Sequence, residues 1–241
     1  MHRRGLLALL ASAPVAGCAV GYRGQSSTDT EQADIVSLGT PPDVCAEPVD
    51  PGGIQPIVDP AFGRDWAGHP VPDRYDTLTD DTVVIGVTAG ERARAYPISV
   101  LWYHEAVNDH FGGPLLVTYC SLCRSGLVAR RVVDGAPATF ATSGLLWDPP
   151  REYAYGAAAS NTTVGATRTD PDADIRVAGN VVLYDDRTRS YWSQIIGQAI
   201  CGPLAGTEFD IVPSTVARWG VWREQHPETE VLLPPPTSTL G

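Results

Sequence analysis

The 241-residue chain is acidic and contains no lysine: its 17 basic residues are all arginine, its Asp and Glu number 28, and its formal net charge is −11. Such a surface repels phosphate backbones, which argues against nucleic acid as a partner. The hydrophobic fraction of 43% allows a buried core. High negative charge without lysine is typical of a halophile or of a GC-rich genome.

Residues 1–17 have the order of a signal peptide. Arg3 and Arg4 precede the apolar residues 6–10, and small residues then lead to Cys18. The apolar run is far shorter than the roughly 20 residues that a membrane-spanning helix needs. Residues 15–18 resemble a bacterial or archaeal lipobox, which implies cleavage before Cys18 and a lipid on its sulfur. We therefore predict a protein anchored by lipid to the extracytoplasmic face of the cell membrane. The adjacent arginines leave the general and the twin-arginine export routes open.

The rest of the chain divides by composition. Residues 18–55 are rich in Ser, Thr, Asp, Gly and Pro without an apolar period, which predicts a flexible, lipid-anchored tether. A domain is predicted over residues 56–233. Within it, residues 149–179 are polar and aperiodic and are expected to form a surface excursion. The Pro-rich residues 234–241 are expected to be a disordered tail.

Short apolar runs separated by turn residues predict strands along the domain. They fall at residues 82–88, 115–119, 127–133, 181–184, 190–194 and 198–201. A short helix is predicted from Pro97 towards Asn108. Strands do not alternate with long helices, which disfavours a parallel, doubly wound sheet. The predicted fold class is therefore α+β and β-rich: a single compact domain of mostly antiparallel short strands with a few short helices.

Five blocks stand out in this sequence: residues 95–97, 102–109, 118–123, 143–146 and 184–194. They resemble the signature blocks of the domain of unknown function 3179 family and follow that family's order. The resemblance spans about residues 57–232. It implies a shared fold and a shared polar centre, and it carries no established activity.

The chain departs from that family's pattern at three places. Ser121 stands where a proline is usual between two cysteines, and Arg124 stands where a glycine usually follows the second cysteine. In the later block Asp186 occupies the usual place of an arginine, and Arg187 lies one place further on.

Once Cys18 is acylated, four cysteines remain. Cys45 and Cys201 are expected to form a structural disulfide, the usual state of cysteines outside the cytoplasm. Cys120 and Cys123 form a C-x-x-C pair, whose small ring is easily reduced. The pair therefore favours redox exchange or metal binding over a purely structural role.

His104 and Glu105 are the nearest candidate partners of the two thiols. Cys120, Cys123 and His104 would suit a zinc or copper ion. His104 packing or capping beside Trp102 is the alternative to ligation.

Two catalytic hypotheses use the same residues. In thiol exchange, Arg124 or a protonated His104 would lower the pKa of Cys120 or Cys123. In hydrolysis, Cys120 would be the nucleophile and His104 the base, oriented by Glu105 or Asp109. This hypothesis ranks lowest, because adjacent helix residues point apart and Glu105 does not readily support His104.

The family blocks also supply candidate ligand-binding residues: Tyr119, Ser143, Asp185, Trp192 and Gln194. For the later block, the alternative is a β-hairpin with Trp192 on its buried face.

Two function classes stay open. One is a metal- or thiol-dependent extracytoplasmic protein centred on the C-x-x-C pair and a histidine, with turnover undecided. The other is a noncatalytic envelope module that binds a small molecule or a protein partner, its two cysteines bonded to each other.

Overall fold

A computed structural model describes residues 48–49, 53–147 and 180–241. The predicted signal peptide, Cys18, Cys45, most of the tether and the predicted excursion lie outside the described residues. Within the described ranges, no helix is both long enough and apolar enough to cross a membrane.

Sixteen strands and two helices follow one another in the described part of the chain. The strands are β1 (Ile57–Asp59), β2 (Phe62–Gly63), β3 (Val83–Ala89), β4 (Arg92–Pro97), β5 (Ala106–His110), β6 (Pro114–Cys120), β7 (Ser125–Arg130), β8 (Val132–Val133), β9 (Ala136–Pro137), β10 (Phe140–Trp147), β11 (Asn180–Asp185), β12 (Tyr191–Ser193), β13 (Gln198–Cys201), β14 (Thr215–Arg218), β15 (Glu230–Leu232) and β16 (Thr239–Leu240). Helix α1 (Ile98–His104) precedes β5, and helix α2 (Trp219–Gln225) follows β14. The structure is therefore β-rich, as predicted.

The longer strands form three sheets. Their strand orders are β16-β1-β5-β6-β7, β14-β3-β4-β15-β2 and β10-β11-β12-β13, and β8 and β9 form a separate pair. The pairings are antiparallel except for β1 with β5 and β4 with β15. The prediction of mostly antiparallel strands is confirmed.

Strand β6 lies between two hydrophobic core clusters. Side chains alternate between the two faces of a strand. Leu115, Val117 and Tyr119 accordingly belong to the first core cluster, which also contains Trp219 and Trp222 of α2. Leu116 and Cys120 belong to the second core cluster, with Phe140 and Trp192. Cys120 and Tyr119 therefore face opposite sides of the sheet.

The predicted helix begins where expected but ends early. Pro97 has an extended backbone and precedes the first turn of α1. Glu105 ends the helix because it takes a left-handed conformation, with φ 54°, while its N–H donates to the carbonyl of Leu101. The chain then runs as β5 beside β6, with Ala106 opposite Thr118. The prediction of a helix reaching Asn108 is wrong for this reason.

The end of the chain is held to the fold. Thr239 and Leu240 pair with β1, and the backbone N–H of Gly241 donates to the carbonyl of Pro56. The hydroxyl of Ser238 donates to the carbonyl of Leu233 and accepts from the N–H of Ala61. The prediction of a disordered tail at residues 234–241 is wrong, since β1 supplies backbone partners that composition does not reveal.

Candidate functional site

The two cysteines meet in a tight hairpin loop, which we call the thiol loop (residues 120–125). Cys120 ends β6 and is paired with Ser125, the first residue of β7. Arg124 has a left-handed φ of 52°, which turns the chain back into β7. The backbone N–H of Cys123 donates to the Sγ of Cys120 at 3.4 Å, and neither cysteine forms a disulfide. The two sulfurs are therefore neighbours within one loop.

The environment separates the acidities of the two thiols. Cys120 is fully buried, whereas Cys123 is half-buried. A hydrogen bond from the Cys123 thiol lowers the pKa of Cys120 to about 7, although burial opposes that change. The same hydrogen bond raises the pKa of Cys123, and burial raises it further. The pair therefore ionises at Cys120, with Cys123 keeping its proton.

Glu105 lies beside the thiol loop. It is 6% exposed, and its carboxylate oxygen Oε1 accepts a hydrogen bond from the Ser121 hydroxyl at 3.0 Å. Its backbone carbonyl accepts from the N–H of Tyr119 at 2.9 Å. Burial raises the pKa of Glu105, and the bond from Ser121 offsets part of that rise. A negative charge on Glu105 raises the pKa of both cysteines, so the carboxyl is electrostatically linked to the thiols.

His104 is turned to other partners. Its Nε2 lies 2.6 Å from the hydroxyl of Tyr75, and its Nδ1 lies 2.8 Å from the carbonyl of Gln55. The carbonyl accepts from Nδ1–H, so Nε2 accepts from the tyrosine hydroxyl. Burial lowers the pKa of His104, which favours this neutral ring.

The structure does not bring the three predicted metal ligands together. Both ring nitrogens of His104 already have hydrogen-bond partners. In the described ranges, no group of three or more His, Cys, Asp or Glu side chains is arranged to hold a metal ion. The predicted zinc or copper set of Cys120, Cys123 and His104 is not formed, because neighbouring residues at the end of α1 face opposite ways. Glu105 reaches the thiol loop, and His104 does not.

A buried amide network closes the other side of the thiol loop. The Nδ2 of Asn180 donates to the Oε1 of Gln194 at 2.8 Å and to the hydroxyl of Ser125 at 3.0 Å. The Nε2 of Gln194 donates to the carbonyl of Ser125 at 3.1 Å. A hydrogen bond from Asn180 also lowers the pKa of Cys123, against three larger effects that raise it: the hydrogen bond to Cys120, burial and the charge of Cys120. The predicted residue Gln194 thus reaches the thiol loop together with Asn180.

A comparison with protein families gives the class of this molecule. The model of a family described as Protein of unknown function (DUF3179) matches residues 51–149 and 161–239. The chain belongs to this family. No curated protein and no solved structure matches the chain. The family match confirms the resemblance found in the sequence blocks of this DUF3179 protein.

Two departures from the DUF3179 pattern have a structural meaning. The hydroxyl of Ser121 bonds Glu105, a contact that the usual proline has no group to make. Arg124 holds a positive φ, which is the conformation that the usual glycine adopts at no steric cost. In this DUF3179 protein Ser121 therefore ties the thiol loop to Glu105, and Arg124 holds a backbone conformation that favours glycine.

Three of the predicted ligand-binding residues of this DUF3179 protein hydrogen-bond inside the fold. The Oδ2 of Asp185 accepts from the indole N–H of Trp192 at 2.9 Å. The hydroxyl of Ser143 donates to the carbonyl of Val182 at 2.6 Å. All three side chains are at most 3% exposed. Their ligand-binding role stays a prediction, and their contacts match the hairpin alternative.

The remaining predicted residues lie apart from the sulfurs. Tyr119 faces the first core cluster, with its ring centroid 6.5 Å from that of Trp102. Cys201 is disulfide-bonded. Its expected partner, Cys45, lies outside the described residues.

Asn180 and Ser121 were not predicted from the sequence. Asn180 precedes the apolar run 181–184, where a lone amide gives no signal of a long-range contact. Ser121 was noted only as a departure from the family pattern. Its bond to Glu105 depends on the left-handed end of α1, which local sequence does not specify.

Proposed function

We propose that this DUF3179 protein carries out thiol–disulfide exchange at the outer face of the cell membrane, as a single domain on a tether with its lipid on Cys18. One observation carries the proposal: two thiols share a tight loop, and their pKa values are displaced in opposite directions. Because Cys120 is buried and Cys123 is half-buried, an incoming sulfur meets Cys123 first.

Exchange starts from the disulfide form of the pair, which is the oxidant. A substrate thiolate attacks the Sγ of Cys123, and a new S–S bond forms between them. The Cys120–Cys123 bond breaks, and its electron pair leaves with Cys120 as a thiolate. A thiol of low pKa leaves faster than one of ordinary pKa, so the value of about 7 at Cys120 favours attack at Cys123.

The second half releases the substrate. Another substrate thiolate attacks the substrate sulfur of the mixed disulfide and forms the substrate's own disulfide. Cys123 leaves with the electron pair and takes up a proton, as its raised pKa requires. Two substrate thiols have then lost two electrons to the pair. A disulfide of another protein then reoxidises the Cys120–Cys123 pair by the same exchange steps in reverse.

Glu105 is a positioning residue in this proposal. A buried carboxyl with a raised pKa carries a proton over a wider pH range than an exposed one. The protonated form removes the negative charge that would disfavour the Cys120 thiolate. The bond to Ser121 meanwhile ties the thiol loop to the end of α1.

The proposal is tested by equilibrating the mature protein in glutathione buffers of graded potential. Samples are quenched by alkylation, and the blocked thiols are counted by mass spectrometry. We expect a two-electron transition that disappears in Cys120→Ser and in Cys123→Ser. Leu122→Ala is the matched control, because it changes the same loop and keeps both sulfurs.

The two single variants also separate the roles of the sulfurs. Cys120→Ser keeps the more exposed thiol and is expected to form a mixed disulfide with an aromatic disulfide reagent more completely than Cys123→Ser does. The noncatalytic envelope module would be supported instead by two results together. The pair would stay in one redox state at all potentials, and Cys120→Ser and Cys123→Ser would leave the stability of the protein unchanged. Stoichiometric zinc or copper, found by elemental analysis and lost in either variant, would support the metal function.

A further inference from the structure

A second site lies on the opposite side of β6 from the sulfurs. It is a cleft of about 510 Å³ at the end of the first core cluster, and we call it the aromatic cleft. Its wall includes Ser99, Trp102, Tyr103 and Tyr119, with Arg74 and Arg124 also among the lining residues. The proposed thiol exchange uses none of these side chains.

The aromatic cleft and the thiol pair share one piece of backbone. Tyr119 directly precedes Cys120, and Arg124 directly follows Cys123. Because neighbouring strand residues point to opposite faces, Tyr119 packs in the first core cluster and Cys120 in the second. The cleft is therefore a separate site, and its assignment does not rest on the proposed function.

The wall of the cleft is suited to a flat apolar group. The rings of Trp102 and Tyr119 are tilted by 39° to each other, with centroids 6.5 Å apart. Tyr103 adds a ring that is 43% exposed. Indole and phenol rings bind planar groups by stacking or edge contacts. A ligand with an aromatic ring matches this surface.

The cleft lining also contains two guanidinium groups, matched in number by two carboxylates. Arg74 and Arg124 are exposed, and neither forms a salt bridge within the described residues. Asp76 and Asp81 lie in the same lining, but Asp81 is paired with Arg218 at 3.1 Å. Two guanidinium groups therefore have donors to offer an anion, in a chain whose net charge is −11.

We propose that the aromatic cleft binds a planar aromatic anion, with its ring against Trp102 and Tyr119 and its charged group at Arg124 and Arg74. A carboxylate, sulfonate or phosphate group has the acceptor oxygens that the guanidinium groups require. The ring supplies the apolar contact with these two aromatic side chains.

The test uses a matched pair of fluorescent probes on the mature protein. 8-Anilinonaphthalene-1-sulfonate combines a planar naphthalene ring with an anionic sulfonate, and N-phenyl-1-naphthylamine has the same rings without the sulfonate. We expect the sulfonate probe to bind about tenfold more tightly, the effect of one charge-assisted hydrogen bond. Added salt should weaken the binding of the sulfonate probe alone, because salt screens exposed charges.

Variants locate the binding. The double variant Arg74→Gln, Arg124→Gln is expected to lose roughly tenfold in affinity for the sulfonate probe and nothing for the neutral probe. Arg187→Gln makes the same charge change at an exposed position away from the cleft and should have no effect. Trp102→Ala should weaken the binding of both probes.

Equal binding of the sulfonate probe to the double variant and to Arg187→Gln would overturn the proposal. Circular dichroism and thermal melts show whether each variant is folded. If Trp102→Ala does not fold, the arginine variants still test the proposal. Cys120→Ser and Cys123→Ser should bind both probes normally. Failure of the cleft proposal is thus distinguishable from failure of thiol exchange.

Discussion

Replacing Cys123 with alanine should raise the pKa of Cys120 above its ordinary value. The folded protein lowers that pKa from 9.0 to about 7, and the hydrogen bond from Cys123 is the largest cause. Two pKa units correspond to about 3 kcal/mol of preference for the thiolate. Without the donor, burial is the main remaining effect, and burial raises a thiol pKa.

The thiolate is titrated by its ultraviolet absorbance. Cys201 does not contribute, since it is disulfide-bonded. In the native protein, half of Cys120 is ionised near pH 7. In Cys123→Ala, a pKa at or above the ordinary value of 9.0 leaves at most about 1% ionised at the same pH. Cys123→Ser keeps a donor hydroxyl and should give an intermediate value.

Alkylation rates give a second measure with a smaller expected change. The smaller thiolate fraction lowers the alkylation rate roughly fiftyfold. A thiolate of higher pKa is intrinsically more nucleophilic, which raises the rate again by about tenfold. The rate at pH 7 should then fall by roughly fivefold. A Cys120 pKa that stays near 7 in Cys123→Ala would show that Cys123 is not the donor, and the assignment of roles within the pair would be refuted.

Three further variants test the contacts around the thiols and at the end of the chain. Glu105→Gln should lower the pKa of Cys120, because the carboxylate charge raises it. Because the pKa of Glu105 is raised, the folded protein holds this proton more tightly than the unfolded chain, and the native protein gains stability as pH falls through that pKa. Glu105→Gln should lose this gain. If urea unfolding gave the variant the same pH profile as the native protein, the raised pKa of Glu105 would be contradicted. Tyr75→Phe removes the hydrogen bond to His104 and should cost about 1 kcal/mol while leaving the Cys120 titration unchanged; a shifted titration would contradict the separation of the two groups. Deleting residues 234–241 should lower the melting temperature, because β1 loses an edge partner; an equal melting temperature would argue that these contacts add nothing.

The sequence indicated the strand-rich class and the convergence of the two thiols, since both depend on short-range patterns. Alternating apolar runs locate strands, and a C-x-x-C spacing brings two sulfurs close whatever the fold. The helix end was missed because Glu105 adopts a left-handed conformation, which a glycine would have signalled.

The errors in the site come from side-chain direction and from long-range partners. His104 and Glu105 are sequence neighbours, yet only Glu105 reaches the thiol loop. Asn180 joins the loop from a strand that is distant in sequence, bonding Ser125 across 55 residues. No local period marks such a contact, so tertiary structure was needed to find it.

Burial on both faces of β6 sets the relative positions of the Cys120 sulfur and the Tyr119 ring. A slip of the strand by one position would place Cys120 among the residues that surround Tyr119 and would move the tyrosine ring to the other face. An inserted or deleted residue within Pro114–Cys120 would therefore interchange sulfur and ring rather than displace either one slightly. Chain length in this segment is for that reason a stricter constraint than the identity of most of its side chains.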